Sequence, residues 1–398
     1  MNICFICPEY PPGSHGGVGT FTQMLARALV RTGHKVRVAG VYPGWYQAPA
    51  YEDDNGVRVW RIHEPATRFG WVRARFSLYR LVSKWIQAHE CDLIESSDSY
   101  GWFAGWPKLP VPLVIRTHGS LTYYAHELGQ QVSPTGRFLE SRAYRRADAW
   151  VSVSHHAGEL TMKLFDLKAR PDAVLYNPVN FPQEVPEFQT RVPGRVVFTG
   201  TLARKKGIIS LIDAWPTVKK LCAQAELHVF GKDGKAEDGT LSMQSYLLHR
   251  LPEKLHDSLR FHGHIASEAL TGQLLMARVA VFPSYSETFG LGPAEAMGCG
   301  CPTIYTRLTC GPEIVHHGVH GLLIDPDQPD KVADAILSLL HDEERAQRLA
   351  AGGRSRVLEA YSPLKQVAAN EAFYTELVRS FDGRNHADRA YAPKHCPA

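Results

Sequence analysis

The chain has 398 residues, 44% hydrophobic and 21% charged, a balance that excludes a disordered protein and suits two cores rather than one. Its 44 basic and 40 acidic residues leave a formal charge of +4, too mild a surplus to imply a nucleic-acid partner. No apolar run approaches the roughly 20 residues of a membrane span, and the N-terminus enters a strand pattern at Ile3 without a signal-peptide profile, so a cytoplasmic protein is expected.

In chain order, strand patterns fall at 3–7, 36–41, 57–62, 93–95, 113–117 and 149–154, with helical periodicity at about 18–32, 73–88, 137–147 and 155–167. Such alternation builds a mostly parallel sheet covered by helices, an α/β doubly wound domain expected over 1–180. Pro178, Pro182, Pro186 and Pro193 then interrupt the pattern, and 181–194 reads as a linker. Strand patterns resume at 195–199, 226–230, 259–262, 279–282, 303–305 and 322–324, so a second Rossmann-like domain is expected over 195–362. Helical patterns follow at 329–341, 343–360 and 363–380, and the polar stretch 382–398 reads as a tail. Two such domains face each other across a cleft at the C-terminal ends of their strands, where ligands bind in open α/β sheets.

The most informative segment lies between Glu287 and Glu295, eight residues apart, after the buried strand at 279–282. Gly290, Gly292 and Pro293 mark a tight turn into a helix expected to start near Pro293. Free N–H groups around Phe289, Gly290 and Leu291, at the positive end of a helix dipole, suit a phosphate. A diphosphate ligand carrying hydroxyls at both ends would meet one carboxylate on each side. A second glycine-rich strand-to-helix turn carries His15, Gly16, Gly17 and Gly19, and a third loop, after 195–199, carries Thr201, Arg204, Lys205 and Lys206. Fixed cations there would stabilise negative charge on a leaving diphosphate.

The two glutamates with their flanking residues resemble the signature of the retaining glycosyltransferases of family 4 (glycosyl transferases group 1), which have the GT-B fold of two Rossmann-like domains. Gly311, Pro312 and Glu313 and the segment after them also match. The resemblance implies transfer of a hexose-type sugar from a nucleotide donor, a UDP- or GDP-sugar, to the hydroxyl of a sugar, glycan or lipid-linked acceptor, with no further cofactor and no metal. It implies Glu287 on the donor sugar, Glu295 on the ribose, Lys206 on the diphosphate, and Gly17 and Gly19 beside the donor phosphates. His118, a histidine before a glycine at a strand end, would orient the sugar, and Gly231 closes a segment near the base. His15, Tyr123 and Tyr124 are assigned to the acceptor side. It also implies that a helix over about 363–381 packs back on the first domain. Where the family carries an arginine this chain has Thr201, so either Arg204 reaches the phosphate or the threonine hydroxyl serves.

Asp325 and Asp327 imitate a DxD metal site, but Pro326 and Pro329 make a turn the better reading, and the adjacent pairs His155–His156 and His316–His317 lack zinc spacing. Cys4 and Cys7 read as two strand thiols. Residues 68–86 hold five basic residues, aromatics and no acid, which suits weak contact with the inner membrane face. Two rival functions share the fold: a sugar-nucleotide 2-epimerase, and a non-catalytic binder of nucleotide sugars.

Overall fold

The computed structural model describes residues 1–13, 15–67, 69–236 and 242–381. Arg68, part of the basic segment, and the expected tail at 382–398 lie outside them. The first sheet comprises β1 (Asn2–Ile6), β2 (Lys35–Tyr42), β3 (Tyr51–Asp54), β4 (Val57–His63), β5 (Leu93–Ser97), β6 (Leu113–Thr117), β7 (Ala149–Ser152) and β8 (Ala173–Val174), in the order β3-β4-β2-β1-β5-β6-β7-β8. Every pairing is parallel except β3 with β4. Strand β3, absent from the sequence pattern, is a polar edge strand joined to β4 through Asn55 and Gly56, both at positive φ, the residue pair that favours a tight hairpin.

Alternation along β1 divides the domain into two layers. Ile3, Phe5 and Cys7 pack under α1 (Gly17–Arg31) and α13 (Pro363–Ser380). Cys4 and Ile6 pack on the other face under α2 (Gly70–Gln87), residues 102–106 and α4 (Pro134–Arg146). Helices α3 (Leu121–Glu127) and α5 (His155–Phe165) stand at the cleft end. The seven cysteines among the described residues are buried and unbridged, as expected of core thiols.

The second sheet contains β9 (Arg195–Thr199), β10 (Glu226–Phe230), β11 (Leu259–Gly263), β12 (Val279–Phe282), β13 (Thr303–Thr306) and β14 (Leu322–Ile324), all parallel, in the order β11-β10-β9-β12-β13-β14. Val196 and Phe198 face the layer of α6 (Ile208–Leu221) and α11 (Pro329–His341), and Val197 faces that of α9 (Leu291–Gly298) and α12 (Glu343–Ala360).

The chain crosses between the sheets twice. At the first crossing the buried Arg191 donates to the carbonyls of Leu274, Ala277, Cys299 and Gly300, which pins it to the second domain. At the second, α13 returns to the first domain, where Arg116, fully buried, pairs with Glu95 at 2.7 Å and bonds Asn370 and Tyr374. Tyr374 in turn donates to Glu95 at 2.8 Å. A buried ion pair is stable only when its remaining donors and acceptors are also satisfied, and α13 supplies those partners.

Candidate active site

A cavity of about 440 Å³ opens between the C-terminal ends of the two sheets. The first domain contributes His15, Gly16, Gly17, His118 and Tyr124, and the second contributes Thr201, Lys205, Lys206, Gly231, residues 287–293 and Glu295.

Its floor is the start of α9. Gly290 adopts φ +82°, and a Cβ there would lie 2.2 Å from the Tyr305 hydroxyl, so only glycine lets the helix start this close to β13. The helix begins at Leu291, two residues before the proline expected to open it. Ala294 is the first residue whose N–H returns to the turn, bonding the Gly290 carbonyl. The N–H groups of Leu291 and Gly292 have no partner among the described residues, which makes this end an anion site.

The carboxylates flank that end. Glu287 accepts from Lys206 Nζ at 2.6 Å and from Ser284 Oγ at 3.1 Å. Glu295 is half-buried, and burial raises its carboxyl to about 7. Opposite stands the turn Arg204–Lys206, closed by Gly207 at φ +72°. Its direction sends Lys205 and Lys206 into the cavity, whereas Arg204 is exposed and does not line it. The cations that line the cavity are therefore Lys205, Lys206 and, after β10, Lys232, and not Arg204. Burial, and then its neighbour Lys206, hold the Lys205 ammonium below its ordinary value, and its Nζ lies 4.3 Å from the Tyr124 ring centroid.

Across the cleft, His118 is buried, its ring 4.6 Å from that of Phe21. Desolvation, and then the Arg116 charge, push its pKa well below the ordinary value, which leaves a neutral imidazole. Asp98 fixes the loop by accepting the N–H groups of His118 at 3.0 Å and Gly119 at 3.2 Å. Burial raises the Asp98 carboxyl to about 7. No sequence pattern singled out Asp98, because its partners are backbone groups twenty residues away. The His118 carbonyl accepts from Tyr124 at 3.2 Å and, across the domain boundary, from Thr288 at 3.1 Å.

Two further residues fall outside the cavity lining. Tyr123 is fully buried, since one step along α3 turns its ring into the core while Tyr124 faces the cleft. Gly19 directs its N–H at Glu9 Oε1 (2.8 Å), and its Cβ would lie 2.1 Å from the Glu9 carbonyl, so its smallness serves that packing. Asp325 accepts the N–H of Asp327 and pairs with Arg307 at 2.7 Å, while Tyr285 donates to Asp327 at 2.9 Å, a turn as expected. Among the described residues no group of His, Cys, Asp or Glu is arranged to hold a metal ion.

Two parallel-sheet domains with an anion-binding helix start at their shared cleft define a GT-B protein, and solved structures agree. Sucrose-phosphate synthase from Thermosynechococcus elongatus superposes with a TM-score of 0.77 at 21% identity over 95% of this chain and 99% of that one. The Anabaena protein HepE, solved with UDP and glucose, gives 0.72 at 19% over 94% and 99%. Residues 15–181 match Glycosyltransferase Family 4 and residues 193–342 match Glycosyl transferases group 1. An uncharacterized glycosyltransferase of Methanocaldococcus jannaschii is 26% identical over 383 residues, 91% of this chain and 95% of that protein. The chain belongs to glycosyltransferase family 4 and is a glycosyltransferase.

Proposed function

We propose that the protein transfers a hexose, with retention of anomeric configuration, from a nucleoside-diphosphate sugar to an acceptor hydroxyl. The observation that carries this reading is the convergence in one cavity of two unpaired helix-start N–H groups, three lysines and two carboxylates. The second domain, 195–362, holds the donor: its diphosphate on Leu291, Gly292, Lys205 and Lys206, its ribose on Glu295, and its sugar between Glu287 and His118. The first domain, 1–180, presents the acceptor past His15 and Tyr124. The donor is a UDP- or GDP-sugar. A sugar, glycan or lipid-linked acceptor fits the open side of the cleft, and the protein works in the cytoplasm.

As the sugar–phosphate bond breaks, charge grows on the leaving diphosphate. The lysines and helix start stabilise that charge better than they stabilise the ground state. The leaving phosphate takes the acceptor proton on the face of attack, so no protein nucleophile is needed. Neutral His118 hydrogen-bonds a sugar hydroxyl without adding positive charge beside the developing oxocarbenium centre. Donor entry breaks the Lys206–Glu287 pair, freeing the lysine for phosphate and the carboxylate for sugar.

A thermal-shift panel of UDP-, GDP-, ADP- and dTDP-sugars tests the reading, because a ligand bound only by the folded state raises Tm. One nucleotide class should raise Tm, and Lys206→Ala and Glu295→Ala should abolish the rise. A panel without any shift would contradict a preformed donor site.

A further inference from the structure

Two helices on the outer layer of the first domain carry a basic and aromatic surface that the cleft does not use. On α2 the exposed residues Arg73, Phe76, Arg80 and Lys84 recur every three or four positions, so they form one stripe. Phe76 in that stripe is 59% exposed and Phe138 on α4 is 61% exposed, whereas Trp71, three and seven residues before Ala74 and Leu78, lies toward the core side at the start of the helix. The opposite side of the helix, with Ala74, Leu78, Val82 and Trp85, already fills the core, so the outer aromatics are not needed there.

Helix α4 continues this surface because both helices seat on residues 99–106. Tyr79 meets Trp106 edge-on at 5.5 Å, and Arg146 Nε donates to the Trp106 carbonyl at 2.8 Å. Arg75 bonds the Gly101 carbonyl at 3.0 Å, and Arg142 bonds that of Ala104 at 2.9 Å. Between α4 and the end of α5 lies a cavity of about 580 Å³ lined by Arg137, Arg142, Arg145, Arg146 and the exposed Phe138, with Asp166 as its one acid. Among the described residues none of the four arginines forms a salt bridge, and Arg146 Nη2 is buried without a partner. The acid within α4, Glu140, is fully buried and occupied in capping α3 at Leu121 and Thr122. Four guanidinium groups around one space repel each other, and an external anion relieves that repulsion.

We propose that this α2–α4 face docks the protein on an anionic phospholipid membrane, with Phe76 and Phe138 entering the interfacial zone and the arginine cavity receiving a lipid phosphate. Aromatic rings next to the cations distinguish this surface from a site for soluble phosphate, which has no use for exposed apolar rings. The docking stands on the surface alone and holds whether or not the cleft transfers sugar.

Flotation of the full chain with vesicles tests it. The protein should float with phosphatidylcholine mixed with phosphatidylglycerol and not with phosphatidylcholine alone. Arg73→Glu with Arg80→Glu, Arg145→Glu, and Phe76→Ser with Phe138→Ser should each lower partitioning at least about tenfold with Tm unchanged. Lys331→Glu with Arg379→Glu, an equal charge reversal at positions 66% and 76% exposed elsewhere, should float like the parent. Equal binding to neutral vesicles, equal loss in that control pair, or calorimetric binding of inorganic phosphate without flotation would each overturn the proposal.

Discussion

At the residue scale the cleft depends on a few charges whose positions differ in how far the sequence reveals them. Lys206→Ala should lower the transfer rate about 10²–10³-fold, the cost of removing one preorganised charge from a developing anion, with only a small loss of Tm because Ser284 still donates to Glu287. Kinetics on the nucleotide sugar selected by the thermal panel check this, and an unchanged rate would move the phosphate elsewhere. Glu295 predicts a pH signature. Its folded carboxyl sits near 7 against an ordinary 4.5 because burial penalises the charge, so the folded state holds more protons than the unfolded one between those values. Stability from this group is therefore lost as pH rises through about 4.5 to 7. Glu295→Gln should raise the Tm of the ligand-free protein at pH 8 and leave it nearly unchanged at pH 4. Glu287, Glu295 and Lys206 were legible because glycine and proline turns fix the backbone that carries them. The choice of Lys205 over Arg204, or Tyr124 over Tyr123, was not, because one step along a short helical turn reverses the direction of a side chain.

At the element scale the start of α9 is the most constrained feature. Gly290→Ala places a Cβ against the Tyr305 hydroxyl at positive φ and should destabilise by more than about 1 kcal/mol in urea unfolding. Adding Tyr305→Phe should recover the steric part only, since the backbone strain stays. A neutral Gly290→Ala would mean that α9 starts differently. Strong apolar periodicity made the core strands and long helices readable in advance. It was silent for β3, whose Tyr51, Glu52, Asp53 and Asp54 offer no apolar alternation, and for the seven-residue α3, too short for a periodic signal. Helix α4 begins at Pro134, three residues before its periodicity does, because the proline sets the first turn rather than the apolar face.

At the scale of the whole molecule, two chain crossings and the contacts over the cleft set how the domains face one another. The N–H groups of His155 and His156 at the start of α5 bond Glu313 of the second domain, and Ser154 donates to the Thr288 carbonyl at 2.6 Å. Arg116→Ala would strand the buried Glu95 and remove the anchor of α13. It should cost about 3–5 kcal/mol in urea unfolding, and a loss under about 1 kcal/mol would show that the returning helix is held by apolar packing alone. Everything proposed for the cleft depends on the second domain holding a donor diphosphate on Lys205, Lys206 and the start of α9. Calorimetric titration of the preferred nucleoside diphosphate beside its bare nucleoside tests it most directly. The diphosphate should bind at least about a hundredfold tighter, since charge-assisted contacts to two lysines and a helix start distinguish the two ligands, and Lys205→Ala with Lys206→Ala should remove most of that gap. Equal affinities for the two ligands, or a gap untouched in the double variant, would contradict it.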